Sequence, residues 1–313
     1  MMKLIIRADD VGYTPFANFG TIKAIDEGIV TTADVMLDCP GAVDALKQLA
    51  ERPWISVGWH AGHQWGKPVL GADKVPSLVD EEGNFKWAMK DGLKLGYAAP
   101  VPDRKVLNAR KNEVVYEEAL TEFRAELDLC VQALGRAPDT ATAADGPSLV
   151  DKARKQAMDE YGVKYGWFTK GPGGKDPNGV PCHPEYSALN IYMPCQKYGT
   201  NKNMLEIESY RMKDPYDPVE GFLNDGDGIA GHEVVQLAFH PAFLDDVICY
   251  DGGLQFIMNR ARIIDVHAMC DPRLRQWIKD NRIELINQRD ALYGTKEYQN
   301  HLKQIGSDLY MGN

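Results

Sequence analysis

Two adjacent carboxylates, Asp9 and Asp10, follow the apolar residues 4–6 near the start of the sequence. A glycine turn comes next, and then Thr14 and Pro15, a pair typical of an N-cap and a first helical position. The pattern predicts a buried strand that ends in two acids. Ionised carboxylates side by side repel each other, and burial penalises both charges, so a positive group should lie beside them. A divalent cation is the first candidate, although the same pair could instead cap the next helix and face water.

A histidine ends a second predicted strand. Residues 55–59 are β-rich and are followed directly by His60, a side chain that can bind a metal. The C-terminal ends of parallel strands gather on one face of an α/β sheet or barrel, where ligands and catalytic groups collect. Asp9, Asp10 and His60 are therefore expected to meet at that face.

Further motifs accompany these residues along the sequence. They are residues 6–12, Asn18-x-Gly20, residues 28–31, Met36, Pro40, residues 57–60, Gly66-x-Pro68, residues 75–80, residues 83–85, a helical pattern at residues 122–135 and residues 238–241. In type and order they resemble the YdjC-like family of carbohydrate deacetylases, which includes the chitooligosaccharide deacetylases. The resemblance covers most of the chain.

The resemblance implies a metal-dependent hydrolase that removes the N-acetyl group from an acetylated amino sugar or chitooligosaccharide, phosphorylated or not. It makes Asp10 and His60 metal ligands, Asp9 the general base on the attacking water, and His240 the acid for the departing amine. Magnesium, zinc and manganese are all candidates, because carboxylate ligands favour magnesium or manganese and two histidines favour zinc. The resemblance also implies a small acetylated sugar as the partner and a homodimer as the assembly.

One motif of the family is absent from this sequence. The family has Asp-x-His-x-His at the strand end after its long helix, whereas residues 138–146 here contain no histidine. Catalytic zinc sites usually keep three protein ligands. The third could be Asp145, at the end of the corresponding predicted strand, or His63, three residues after His60, or a water molecule. The alternative hypothesis is a catalytically impaired sugar-binding or regulatory relative that has lost this ligand.

The hydrophobic pattern predicts strands and helices in alternation, the order typical of parallel sheets. Strands are expected at residues 4–6, 31–37, 55–59, 140–144, 164–168, 234–239 and 282–287. About seven such units suit a single irregular TIM-like (β/α) barrel domain over residues 1–313, with a doubly wound open sheet as the alternative. The family resemblance favours the barrel.

Two long stretches, residues 61–111 and 169–217, interrupt the alternation and are rich in Gly and Pro. Connections of this length inside a compact domain are usually functional, so both are expected to lie over the C-terminal mouth of the barrel. Trp65 and Phe85 could stack on sugar rings there, or could fix the loop to the barrel. Arg262 resembles a family position near the sugar and is a third candidate for substrate binding.

The composition narrows the classes of partner. The net charge of −10, from 35 basic and 45 acidic side chains, argues against nucleic acid or an anionic membrane as the main partner. Neither a signal-peptide core nor an apolar run of membrane-spanning length is present, so a cytoplasmic location is expected. The six cysteines are scattered, without a Cys-x-x-Cys pair, and are expected to be reduced.

Overall fold

The computed structural model describes residues 1–61, 66–87, 109–142, 147–166, 191–192, 216–225, 228–246 and 254–312. In these ranges eight parallel strands form one sheet. They are β1 (Lys3–Val11), β2 (Thr32–Val35), β3 (Ser56–Trp59), β4 (Thr140–Ala141), β5 (Lys164–Tyr165), β6 (Ile191–Tyr192), β7 (Val234–Phe239) and β8 (Glu284–Leu285). Seven lie in the order β5-β4-β3-β2-β1-β7-β6, and β8 pairs with the start of β1. The sheet curls into a half-barrel, which confirms the predicted TIM-like α/β class.

Helices surround this sheet. In the described ranges they are α1 (Pro15–Asp26), α2 (Ala42–Ala50), α3 (Tyr116–Leu134), α4 (Leu149–Tyr161), α5 (Pro218–Leu223), α6 (Leu254–Met269), α7 (Pro272–Asp280), α8 (Gln288–Tyr293) and α9 (Glu297–Gln304). As predicted, Thr14 caps α1 by accepting a hydrogen bond from the Ala17 N–H, and Pro15 is the first helical residue. Within this part of the chain, none of the helices is both long and apolar enough to cross a membrane.

The two faces of β1 have different surroundings, as the period of two in a strand requires. Leu4, Ile6 and Ala8 belong to the large apolar core that the helices cover. Arg7 and Asp9 alternate with them and are also buried, so they lie on the inner side of the curled sheet. The inside of the half-barrel is therefore polar at the level of these two residues.

Gln288, the first residue of α8, bridges three strands across the inside of the sheet. Its Oε1 accepts a hydrogen bond from Thr140 Oγ1 at 2.5 Å, and its Nε2 donates to Gln236 Oε1 at 2.8 Å. The same amide nitrogen donates to the carbonyl of Gly166, the residue after β5, at 3.3 Å. One buried amide thus joins β4, β5 and β7, and we call this network the barrel floor.

A row of glutamates on α3 holds the segment of residues 66–87 and the end of β3. Glu118, Glu122 and Glu126 are spaced four residues apart, so they share one face of the helix. Their hydrogen-bond donors are the N–H groups of Ser77 at 2.8 Å, Val69 at 2.5 Å and Leu70 at 3.2 Å, and the indole N–H of Trp59 at 2.8 Å. This part of the predicted loop is therefore attached to the barrel.

We expect Glu126→Gln to stabilise the protein at alkaline pH. Glu126 is fully buried, and this burial raises its pKa to about 8, although the Trp59 indole and the Arg154 charge act in the opposite direction. In the unfolded chain the carboxyl should titrate near 4.5. Between these values folding takes up a proton, so the raised pKa makes stability fall as pH increases. The Gln variant keeps an acceptor for Trp59 and removes this titration.

The measurement is the free energy of unfolding by urea at about pH 5, 6.5 and 8. The variant should exceed the wild type by about 1–3 kcal/mol at the highest pH and depend less on pH. Equal slopes for the two proteins would contradict the raised pKa.

Candidate active site

β1 departs from regular geometry where it reaches the two acids. Its pairing with β2 joins Ala8 to Ala33 and then Val11 to Val35, so β1 uses one residue more than β2 over this stretch. Asp10 lies within this bulge and has φ of +57°, in the left-handed region. A bulge turns a side chain away from the regular alternation. Asp9 and Asp10 therefore point toward the same end of the sheet.

Two histidines face these acids from neighbouring strands. His60 follows β3, and its Nε2 lies 3.2 Å from Asp10 Oδ1. His240 follows β7, and its Nε2 lies 4.0 Å from Asp9 Oδ2 and 3.9 Å from Asp10 Oδ2. The four residues that the sequence placed in one site are thus together at the C-terminal ends of β1, β3 and β7.

Two buried arginines balance the charge of the acid pair. Arg7 Nη2 donates to Asp9 Oδ2 at 2.6 Å, and Arg262 Nη2 donates to Asp10 Oδ2 at 2.8 Å. The structure thus places a guanidinium group beside each acid. The repulsion between the two carboxylates does not by itself require a metal ion. Burial raises the pKa of Asp10, but the charges of His240, Arg262 and His60 outweigh it and hold this pKa well below its usual range.

Two residues of helix α6 hold the ends of β1 and β7. Arg262 donates a hydrogen bond to Asp10, as described above, and Asp265 lies one turn further along the helix. The Asp265 carboxylate accepts a hydrogen bond from the backbone N–H of His240 at 2.7 Å and another from the Tyr216 hydroxyl at 2.6 Å. Sequence reasoning did not single out Tyr216, because only the folded chain brings it to α6.

Two of the predicted substrate contacts are buried side chains. Arg262 is only 1% exposed and its guanidinium donates to Asp10, so in this structure it stabilises the acid. Phe85 is fully buried and stacks on Trp87 with 5.1 Å between ring centroids, so it fixes the loop to the core. The other candidates, Trp65, His63 and Asp145, lie outside the described residues.

His240 is neutral at physiological pH. Burial lowers its pKa to about 4, even though the carboxylates of Asp10 and Asp9 act in the opposite direction. A neutral imidazole has one N–H donor and one acceptor nitrogen. His240 can therefore relay a proton, but it holds no excess proton in the resting protein.

Asp34 is a buried charge that the sequence analysis missed. It lies in β2 with no exposed surface, and its Oδ2 is 3.6 Å from Arg7 Nε. Burial raises its pKa to about 7, against the effect of the Arg7 charge. The available signal was a single carboxylate inside the otherwise apolar or small-residue strand at residues 31–37.

Asp10 and His60 have the spacing of two ligands on one metal ion. Two donors about 2.1 Å from an ion lie roughly 3.0–3.4 Å apart, and Asp10 Oδ1 and His60 Nε2 are 3.2 Å apart. Arg262 donates to Oδ2, whereas the contact with His60 is at Oδ1. Among the described residues, no group of three or more His, Cys, Asp or Glu side chains could hold a metal. A third protein ligand would have to come from elsewhere in the chain.

Comparison with known proteins places the whole arrangement in a family. Residues 3–280 match the family model of the YdjC-like proteins. The chain belongs to the YdjC-like family. The resemblance stated from the sequence motifs is thereby confirmed, and it extends over all three strand ends that carry the acids and the histidines.

Relatives of this YdjC-like protein include carbohydrate deacetylases from distant organisms. The carbohydrate deacetylase of Brevibacillus brevis is 27% identical over 290 residues, which cover 91% of this chain and 98% of that protein. The carbohydrate deacetylase of Mus musculus is 26% identical over 311 residues, which cover 91% and 93%. The predicted family and the reaction class of its relatives therefore agree.

A solved structure shares the fold of this YdjC-like chain. It is a crystal structure of an Enterococcus faecalis V583 protein named for cellobiose-phosphate cleavage, with a TM-score of 0.57 and 22% sequence identity. The similarity covers 92% of this chain and 98% of that one. At this identity the likeness supports the fold alone.

Proposed function

We propose that this YdjC-like protein is a metal-dependent hydrolase that removes the N-acetyl group from an acetylated amino sugar or chitooligosaccharide. The observation that carries the proposal is the meeting of Asp9, Asp10, His60 and His240 at three strand ends. The relatives named carbohydrate deacetylase support the reaction class.

Asp10 and His60 are the residues that would hold the divalent ion. When bound, such an ion acts as a Lewis acid for the amide carbonyl and for the attacking water. Arg262 keeps Asp10 ionised and oriented, because it binds the oxygen that does not face His60. The chain thus presents one carboxylate oxygen and one imidazole nitrogen toward the same point.

Asp9 is the proposed general base. Its Oδ2 accepts the hydrogen bond from Arg7, whereas its Oδ1 is buried and accepts no hydrogen bond from any described residue. Oδ1 is therefore available to take a proton from water as the water oxygen attacks the carbonyl carbon. General-base catalysis of this type contributes about 10²–10⁴-fold to a rate.

His240 is the proposed route of that proton to the amine. It is neutral at rest, so it takes up the proton during the reaction. Its Nε2 lies 4.0 Å from the nearer Asp9 oxygen, Oδ2, so one water molecule would carry the proton from Oδ1 of Asp9 to the imidazole. When the C–N bond breaks, the nitrogen takes this proton, and the products are acetate and the free amine. His240 is kept in place by the bond from its backbone N–H to Asp265.

Acetate release tests the proposal directly. The protein is stripped with a chelator, reloaded with magnesium, manganese or zinc, and incubated with N-acetylglucosamine and diacetylchitobiose. We expect acetate from at least one sugar with at least one metal, and none from the stripped protein. If calorimetry detects binding of these sugars while no metal yields acetate, the protein is a sugar-binding relative and not a deacetylase.

The third ligand gives a separate prediction. Asp145 and His63 both lie outside the described residues. We expect Asp145→Ala to weaken metal binding on the order of 10²-fold, because a carboxylate can replace an imidazole as ligand. His63→Ala should have less effect. Metal titration by calorimetry measures both affinities. The matched control is His301→Ala, since His301 stacks on Trp54 with 3.6 Å between ring centroids and is not part of the site. Unchanged affinity in both variants would remove these residues from the metal site.

A further inference from the structure

The carboxylate of Asp34 has an unusual environment for a fully buried acid. Neither of its oxygens accepts a hydrogen bond from a described residue, and its Oδ2 lies 3.6 Å from Arg7 Nε. A buried carboxylate is costly unless it is paired and hydrogen-bonded. Because the Arg7 guanidinium lies beside it, Asp34 can affect the orientation of Arg7.

The neighbouring strand makes room for this acid. Asp34 in β2 pairs with Gly58 in β3, two residues before His60. A Cβ atom at position 58 would lie 2.1 Å from Asp34 Oδ1, so a side chain there would displace the Asp34 carboxylate. The glycine in the Val-Gly-Trp-His motif is thus explained by the space that Asp34 occupies.

Arg7 lies between two carboxylates and contacts them with different nitrogens. Its Nε faces Asp34 Oδ2 at 3.6 Å, and its Nη2 donates to Asp9 Oδ2 at 2.6 Å. The guanidinium is planar and its donors are rigid relative to one another. A partner at Nε therefore restricts the direction in which Nη2 can point.

We propose that Asp34 is a positioning residue that keeps Arg7 on one oxygen of Asp9, so that the other oxygen stays available for water. Arginine–carboxylate pairs frequently take the bidentate geometry, in which two N–H groups bind both oxygens of the carboxylate. With Asp34 present, Arg7 binds Oδ2 and leaves Oδ1 unbonded among the described residues. The inference rests on the proposed role of Asp9 as the general base.

The kinetic test compares Asp34→Ala with Asp34→Asn on the sugar that the wild type deacetylates. Asp34→Ala should lower kcat on the order of 10–10²-fold, the size typical of a misplaced catalytic group, with KM within about twofold. Asp34→Asn keeps an oxygen that can face Arg7 Nε, so it should lose much less. Unchanged kcat in Asp34→Ala would overturn the proposal.

A double-variant cycle separates positioning from general damage to the fold. If Asp34 acts through Arg7, Asp34→Ala should cause no further loss of kcat in an Arg7→Lys background. Losses that multiply would overturn the proposal. The matched control is Glu160→Gln, because Glu160 also forms a pair with an arginine, Arg124 at 2.7 Å, but between the outer helices α3 and α4. It should change stability without changing kcat.

A third measurement does not depend on activity. The side-chain Nε–H signal of Arg7 in a ¹⁵N NMR spectrum should exchange slowly with water in the wild type and at least about tenfold faster in Asp34→Ala, because the variant removes the carboxylate that faces Nε. Unchanged exchange would overturn the positioning role. If the wild type releases no acetate but this exchange differs, the proposed function fails while the link between Asp34 and Arg7 stands.

Discussion

Asp9→Asn is expected to reduce acetate release by about 10²–10⁴-fold, which is the contribution of a general base. The amide cannot take a proton from water, but its oxygen can still accept the hydrogen bond from Arg7. Arg7 also keeps its second carboxylate, Asp34, at 3.6 Å. The melting temperature and the bound metal should therefore change little. Turnover, thermal unfolding and metal content are measured on one preparation.

The informative comparison for this variant is Asp10→Asn. Asp10 is the proposed ligand, so its amide should weaken metal binding and lose activity for that reason, and excess metal should restore part of the activity. Asp9→Asn should not respond to added metal. If Asp9→Asn keeps normal turnover on every acetylated sugar that the wild type accepts, the assignment of the base is wrong.

Arg262→Met should destabilise the protein by about 3–5 kcal/mol, because it leaves a buried carboxylate without its guanidinium partner. Asp10 is 7% exposed and bonded to Arg262 at 2.8 Å. Since its pKa is held below its usual range, the pair contributes stability above the unfolded pKa of about 3.8 and loses it as pH falls through the folded value. The cost of the variant should therefore be large at neutral pH and small in acid.

Urea unfolding of the metal-free protein at neutral and acid pH measures this cost. The double variant Asp10→Asn with Arg262→Met should recover most of the lost stability, since it also removes the buried charge that Arg262 balanced. If Arg262→Met unfolds like the wild type but raises KM for the sugar, the substrate contact predicted from the sequence is restored and the structural role is wrong.

The fold was largely predictable because its signals are local. Runs of apolar or β-favouring residues predicted β1, β2, β3 and β7. Thr14 with Pro15 predicted the start of α1. β6 was not predicted, because two residues are too few to show an alternating pattern. The bulge at Asp10 also could not be seen, since register against β2 is a property of two strands.

The candidate site was predictable in part for the same reason. Asp9, Asp10, His60 and His240 each follow a recognisable strand, and parallel strands end on one face. The partners that hold these residues could not be predicted in this way. Arg262 comes from a helix some 250 positions after Asp10, and its hydrogen bond to Asp10 depends on how that helix packs. For Phe85 the sequence left two roles open, and its burial supports the one in which it fixes the loop, because composition does not reveal which aromatic side chains a loop buries.

The barrel floor has a consequence for synthesis. Lys3 pairs with Glu284, and Gln288 supplies the amide that joins β4, β5 and β7. A ribosome makes roughly 5–20 residues per second, so β1 waits tens of seconds for β8. Throughout that interval the nascent chain has the strands β1 to β7 but lacks β8 and Gln288, which join them. We therefore expect such chains to be clients of chaperones until α8 has emerged.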